Sequence, residues 1–320
     1  MADIVIFVTR WTAFRHYTLI HNCIIFVNRN NLKQQVLQEI LDALWESEQD
    51  MESNESSYKV LPFPRMRQLV LDAGWIGKRK QMMHGFIEVD VTEPRRIIRE
   101  QAALTGEQFS FSAFVLACIG QAVAQDKLVH AYRNWRNQLI IFDEVDVLIA
   151  IEVETGERTF PLVHPVRAVN RRTVGDIHDE IRAIQAKPQQ SEGMQTALTR
   201  TYYWLPTFLR HLGYRLVEMN PHWRKQYAGT VGLTSVGMFG RGGGWGIGMP
   251  SHSLAITLGG IAQKPGWING RVEPREYLCI TLSFDHDVID GAPAARFTQR
   301  LIDLIESSYG LCQQEERVAE

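Results

Sequence analysis

The chain is short of several things. It has only four cysteines among 320 residues, Cys23, Cys118, Cys279 and Cys312. No two of them form a Cys-x-x-Cys pair, so their spacing fits free thiols in a reducing compartment better than a disulfide framework. It has no excess of basic charge: 34 Lys and Arg stand against 36 Asp and Glu, a formal net charge of −2. A nucleic-acid partner would call for the opposite balance. A long unbroken apolar run is also missing. Residues 4–27 come nearest, but Arg10, Arg15, His16 and His21 interrupt them. That argues against a spanning helix, and the basic leader and clean apolar stretch of a signal peptide are lacking too. The expectation is a cytoplasmic protein. Arg241-Gly242-Gly243-Gly244-Trp245-Gly246 is glycine-rich, but neither the lysine-serine of a phosphate loop nor a dinucleotide spacing follows it. It reads as a mobile loop whose glycines permit positive φ. No internal repeat is evident.

What is present is ordinary globular composition, 45% hydrophobic and 22% charged. Glu46 to Tyr58 is acidic, contains serines and is poor in apolar residues, as linkers are. It separates an N-terminal appendage with its acidic linker, residues 1–60, from a main domain, residues 61–320. Within that domain strand and helix signals alternate. Strands are expected over Gly85–Thr92, Glu144–Glu154, Gly229–Val236, Ser253–Ile261 and Glu276–Phe284. Helices are expected over Thr92–Ala103, with Thr92 as cap, over Phe111–Gln125, Thr173–Ala186 and Ala292–Ser307. The mixture points to an α/β layered domain.

The chemistry gathers in Asp285-His286-Asp287-Val288-Ile289-Asp290-Gly291. A histidine at the end of an alternating strand, with a carboxylate and a glycine turn after it, suits a general base held on a rigid element. Chance alone produces His-x-x-x-Asp-Gly in a chain of this length on the order of a few per cent of the time. A metal site at His286 and Asp290 would need a further ligand at suitable spacing. No second His/Asp/Glu cluster offers one, so no metal is expected.

The run from Leu61 to the last helix resembles the catalytic domain of dihydrolipoyl acyltransferases, the acyltransferase components of 2-oxoacid dehydrogenase complexes. Four segments carry the resemblance. LPFPRMR (Leu61 to Arg67) is similar to the family's opening segment, and HGFIEVDVT (His84 to Thr92) to its first strand and helix cap. GTVGLTSVGMFG (Gly229 to Gly240) resembles the family's GTFTISNLGMFG. LSFDHDVIDGAPAARF (Leu282 to Phe297) resembles its DHRxxDGAxxARF. The resemblance implies the chloramphenicol acetyltransferase-like fold, a two-layer α/β sandwich with a mixed sheet, assembled as a trimer with active sites between subunits. It implies that His286 is the general base and that Thr234 donates a hydrogen bond to the oxyanion. It also implies that Asp290 is structural, holding the loop through an ion pair with an arginine. Arg79 in GKRKQMMHG is the candidate partner, with Lys78 and Lys80 competing. The cosubstrate would be coenzyme A. Lipoamide would have to come from another chain, a lipoyl-domain protein, because residues 1–60 show no lipoyl-lysine hairpin.

The chain departs from the pattern in places. Asp287 stands where the family usually has arginine, which reverses a charge beside the base. Asp285 agrees with the family; related acetyltransferases carry a second histidine there. Residues 187–228 are longer than the matching segment. They interleave Tyr202, Tyr203, Trp204, Phe208, Tyr214 and Trp223 with Arg200, Arg210, Arg215, Arg224 and Lys225. A helical insertion packed on the domain is the first reading. An acyl-pocket wall, or membrane contact through 200–225, is the second. Three functions follow. The first is acyl transfer between coenzyme A and a thiol. The second is acyl transfer to a small-molecule hydroxyl or amine. The third is a non-catalytic scaffold of the same descent.

Overall fold

The computed structural model describes residues 60–311 apart from 62, 64–66, 107–108, 156–157, 189–190, 192–204 and 238–241. The N-terminal appendage, the acidic linker, Cys23 and Cys312 lie outside the described residues, as do Arg200, Tyr202, Tyr203, Trp204 and Arg241. From Arg67 onward the described residues fall in one compact unit.

Six strands form its main sheet: β1 (Met82–Asp90), β4 (Val147–Thr155), β5 (Arg158–Val166), β6 (Val231–Ser235), β7 (Leu254–Ile268) and β8 (Arg271–Asp285). Two short strands, β2 (Tyr132–Arg133) and β3 (Leu139–Ile140), pair separately. The main order is β1-β8-β7-β6-β4-β5. β6 runs parallel to both β4 and β7, while the remaining pairs are antiparallel. The sheet is therefore mixed, as the family resemblance implied. Among the described residues the helices are α1 (Arg67–Gly77), α2 (Thr92–Thr105), α3 (Phe111–Gln125), α4 (Val174–Ala186), α5 (Thr207–Met219), α6 (Pro221–Ala228) and α7 (Gly291–Glu306).

The core lies between the sheet and α3, α4 and α7. α3 is apolar nearly all round and buries every residue from Ala113 to Gly120, as a helix enclosed on all sides must. α7 buries only Ala294, Phe297, Leu301 and Ile305, one stripe at helical spacing. Phe297 meets Phe284 of β8 edge-on at 5.8 Å, joining the last helix to the strand that carries the histidine motif. α4 opens with a capping box, Thr173 and Asp176 bonding each other's backbone N–H. At α2 the sequence reading needs adjustment. Thr92 lies inside the helix, and Asp90 is the residue that accepts from its N–H and hydroxyl, at 2.9 and 2.6 Å.

Two features go beyond the sequence reading. β7 and β8 extend as a ribbon closed by Asn269 and Gly270, both at positive φ, 49° and 80°, as a two-residue hairpin turn requires. Pro265 stands opposite Pro274 within that ribbon. The second feature is α5, whose polar side faces the protein. Arg210, 7% exposed, donates to Asp72 at 2.8 Å and to Gln68 at 2.7 Å from α1. His211 stacks on Trp75, ring centroids 4.0 Å apart. Phe208, Leu212, Leu216 and Met219 are exposed on the opposite side.

Candidate active site

His286 sits one residue past the end of β8, where the ladder with β1 stops at the pair Met82–Asp285. Its backbone N–H donates to the Gln81 carbonyl at 2.7 Å, and the turn closes through Val288 and Ile289 N–H bonds to the Asp285 carbonyl. The imidazole remains about half exposed, with 54% of the side chain accessible. A strand end thus fixes the backbone while leaving the ring open to a ligand.

The carboxylate that anchors this turn is Asp285. Lys80, just before β1, donates to its Oδ2 at 2.8 Å; Asp285 is buried and Lys80 nearly so. The other carboxylate oxygen of Asp285 accepts the Asp287 N–H at 3.2 Å. Asp290 takes no such part. It begins α7 with an exposed side chain, its Oδ1 3.9 Å from His286 Nδ1, and no arginine pairs with it among the described residues. Arg79 instead lies over the Trp75 ring, 4.0 Å from its centroid. The expected Arg79–Asp290 pair is therefore replaced by Lys80–Asp285. The sequence signal for it was the first acid of the motif together with one of the two competing lysines. Asp287, the departure from the family pattern, pairs with Arg133 at 3.1 Å on the partly exposed rim.

Thr234 lies in β6, half-buried. It is level with Thr257 of β7, which is level with Thr281 of β8. His286 is five residues beyond Thr281. With roughly 3.3 Å per residue and about 4.8 Å between strands, the two backbones are separated by about 16 Å along the sheet and about 10 Å across it. One copy of the chain does not bring Thr234 and His286 together.

The described part of the glycine-rich stretch after β6, from Gly242 onward, is tied down rather than free. Gly260 donates to the Gly244 carbonyl at 2.9 Å. A Cβ on Gly259 would lie 2.0 Å from that same oxygen. Trp245 Nε1 donates to the Ile87 carbonyl of β1 at 3.1 Å. These glycines serve close backbone contact, with Gly248 N–H bonded to the Thr257 hydroxyl at 3.1 Å.

Three other histidines, His130, His164 and His252, are buried and hydrogen-bonded within the fold. His130 and His252 are buried, and burial pushes each from 6.5 to about 4, so they are neutral at physiological pH. His252 bonds the Ala228 carbonyl at 2.6 Å. His164 lies between Ser191 at 3.0 Å and Glu180 at 2.8 Å, an order of groups that resembles a hydrolase triad. Ser191 is fully buried, so no substrate reaches it. Burial raises the Cys118 thiol well above its usual range, which makes it inert. A cleft of about 490 Å³ lies beside the His286 turn, with Asp285, Asp287 and Val288 on one wall and Trp75, Arg79 and Arg215 on another. Arg215 belongs to α5, so the 187–228 segment both packs on α1 and lines a cleft. Among the described residues no helix is long and apolar enough to cross a membrane.

Comparison with known proteins points to acyltransferase catalytic cores. Residues 222–312 match the family described as 2-oxoacid dehydrogenases acyltransferase (catalytic domain). The dihydrolipoyllysine-residue acetyltransferase component of the pyruvate dehydrogenase complex from Mycoplasma capricolum is 20% identical over 225 residues, covering 69% of this chain and 44% of that protein. The mitochondrial succinyltransferase component of the 2-oxoglutarate dehydrogenase complex from Saccharomyces cerevisiae is 26% identical over 227 residues, covering 69% and 42%. The chain thus spans less than half the length of these curated relatives. The cubic core of the pyruvate dehydrogenase multienzyme complex superposes with a TM-score of 0.61 at 20% identity, covering 81% of this chain and 96% of that one. A probable dihydrolipoamide acetyltransferase from Listeria monocytogenes gives 0.60 at 19%, covering 79% and 96%. Two of the four motifs, Gly229 to Gly240 and Leu282 to Phe297, lie within the matched residues, and the fold is that of these acyltransferase cores.

Proposed function

We propose that this chain is a coenzyme A-dependent acyltransferase that moves an acyl group between coenzyme A and a thiol acceptor, with His286 as general base. The observation that carries this reading is the mounting of His286. An open imidazole is held on a turn clamped from below by the largely buried Lys80–Asp285 pair and from beside by the Gln81 carbonyl. The turn itself lies within the segment that matches the family.

A thiol is mostly protonated near neutral pH, and only its thiolate attacks effectively. His286 takes the thiol proton as sulfur adds to the thioester carbonyl. The oxygen of the tetrahedral adduct then carries negative charge, which a hydroxyl donor stabilises in a site with little water. Thr234 supplies that hydroxyl. As the carbonyl re-forms, the departing thiolate recovers the proton from His286. No covalent acyl-enzyme is needed.

The separation of Thr234 from His286 in one chain supports a site completed by a neighbouring copy, as in a trimer. Each site then takes His286 from one subunit and Thr234 from the next. This predicts an unusual complementation. His286→Ala and Thr234→Ala are each inactive alone. When they are co-expressed, random assembly restores both residues at about a quarter of the interfaces. Turnover with acetyl-CoA and dihydrolipoamide measures it. A single mutant that keeps wild-type turnover refutes the roles, and a co-expressed pair with no activity refutes the shared site. A lipoyl-bearing partner chain would supply the thiol in this reading.

A further inference from the structure

The cleft beside the His286 turn, at about 490 Å³, is within the size range of small-molecule pockets, roughly 300–1,000 Å³. Its charges do not balance. Each of its three carboxylates is matched by one cation: Asp285 by Lys80 at 2.8 Å, Asp287 by Arg133 at 3.1 Å, and Glu218 by Arg224 in a short contact. Two guanidiniums remain on the wall, Arg79 and Arg215. Neither has a carboxylate partner among the described residues. Both are instead gathered at one ring, lying 4.0 and 5.6 Å from the centroid of Trp75.

That ring is itself held in place. His211 stacks on it, at an interplanar angle of 10°, and His211 Nε2 is 3.1 Å from Asp72 Oδ1. Asp72 is buried and also binds Arg210 at 2.8 Å. α1 and α5 thus present Arg79 and Arg215 to the cleft from a supported aromatic platform. A further wall residue, Tyr132, has a buried hydroxyl with no hydrogen-bond partner among the described residues. Two like charges held close without a counter-ion carry a standing electrostatic cost, which a bound anion relieves. A guanidinium also binds phosphate or carboxylate oxygens in pairs.

We propose that this cleft holds an anionic group, a phosphate or a carboxylate, of the ligand whose thiol or thioester reaches His286, and that Arg79 and Arg215 grip it. This rests on the acyl-transfer reading. It assigns to the insertion helix α5 the task of selecting charged over neutral ligands.

Calorimetry on the full chain tests it with three probes. Pantetheine carries no anion, succinyl-pantetheine carries a carboxylate only, and coenzyme A carries phosphates. The wild type is expected to bind at least one anionic probe tenfold or more tightly than pantetheine. The double variant Arg79→Gln/Arg215→Gln is expected to lose that preference while still binding pantetheine, and Arg96→Gln, on the exposed side of α2, is expected to keep it. Preference for coenzyme A identifies the anion as phosphate, and preference for succinyl-pantetheine identifies it as carboxylate. Equal binding of all three probes, or a preference that survives in the double variant, overturns the proposal. Should the double variant not fold, salt replaces it: raising ionic strength must weaken the anionic probe more than pantetheine, and equal weakening overturns the proposal. Turnover by His286→Gln is read separately. Retained turnover there sinks the acyl-transfer reading without touching the binding result.

Discussion

Replacing Lys80 with methionine removes one half of a largely buried ion pair and keeps most of the volume. The two side chains are 12% and 7% exposed and 2.8 Å apart, so water from the adjoining cleft replaces the lost ammonium only in part. Asp285 would keep the Asp287 N–H bond at 3.2 Å as its one side-chain hydrogen bond among the described residues. Leaving a buried charge unpaired in this way costs about 3–5 kcal/mol. In a body of this size that lowers the melting temperature by about 10 °C. Urea unfolding followed by tryptophan fluorescence gives the free energy. Asp285→Asn and the double variant complete a cycle whose coupling should exceed about 1 kcal/mol. The double variant should be less damaged than Lys80→Met alone, because no charge is left behind. If Lys80→Met costs under about 1 kcal/mol, the pair behaves like a surface contact, and the clamp assigned to the His286 turn is wrong.

Acid should destabilise the fold in a defined window. His130 and His252 bind protons near 6.5 when unfolded but near 4 when folded. Between those values the unfolded chain holds more protons, so stability falls as pH falls, by about 3 kcal/mol per histidine across the window, and is level above it. Urea midpoints from pH 7.5 to 4.5 should follow that course, and a flat profile would contradict the neutral burial of both rings. Among the glycines, Gly259→Ala places a methyl 2.0 Å from the Gly244 carbonyl oxygen and should cost more than about 2 kcal/mol. Gly213→Ala meets nothing within 4 Å on the exposed side of α5 and should stabilise by about 0.5–1 kcal/mol. Thermal melts compare the two. Asp287→Arg restores the residue usual in the family but breaks a partly exposed pair with Arg133. Its stability cost should stay within about 1 kcal/mol, and a larger loss would show that the rim pair carries weight.

The elements that were legible in the sequence share one property: a single character over their whole length, apolar throughout or amphipathic throughout. Phe111–Gln125 is recovered with both ends intact, and Thr173–Ala186 differs only by its cap residue. β5 had no such signal. Pro161 and Pro165 interrupt it, and it is tolerated as a strand because it lies at the sheet edge. β7 and β8 read short for a related reason, since their outer halves contain Pro265, Lys264 and Arg275 and bury little. At the site, the turn bearing His286 was visible because motif and strand end coincide. The identity of its anchoring acid was not, because choosing Asp285 over Asp290 depends on which carboxylate the Lys80 ammonium can reach in space. The distance between Thr234 and His286 depends on strand register, which neither residue reveals alone.

The paired prolines of the β7–β8 ribbon have a consequence for assembly. Ile268 and Arg271 flank a two-residue turn, so they form a hydrogen-bonded pair, and pairs alternate outward from there. Pro265 and Pro274 fall three steps away, at a non-bonded pair whose N–H groups would point to either side of the ribbon. Both flanks therefore lack a donor at the same level, and the prolines of β5 thin the far margin of the sheet in the same way. A stray strand that tried to zip onto the ribbon would meet a gap in the ladder. The arm can still touch another molecule through the exposed Trp267 and Val272. Such recognition would be by side-chain shape, which discriminates between partners, and not by main-chain pairing, which accepts almost any extended segment.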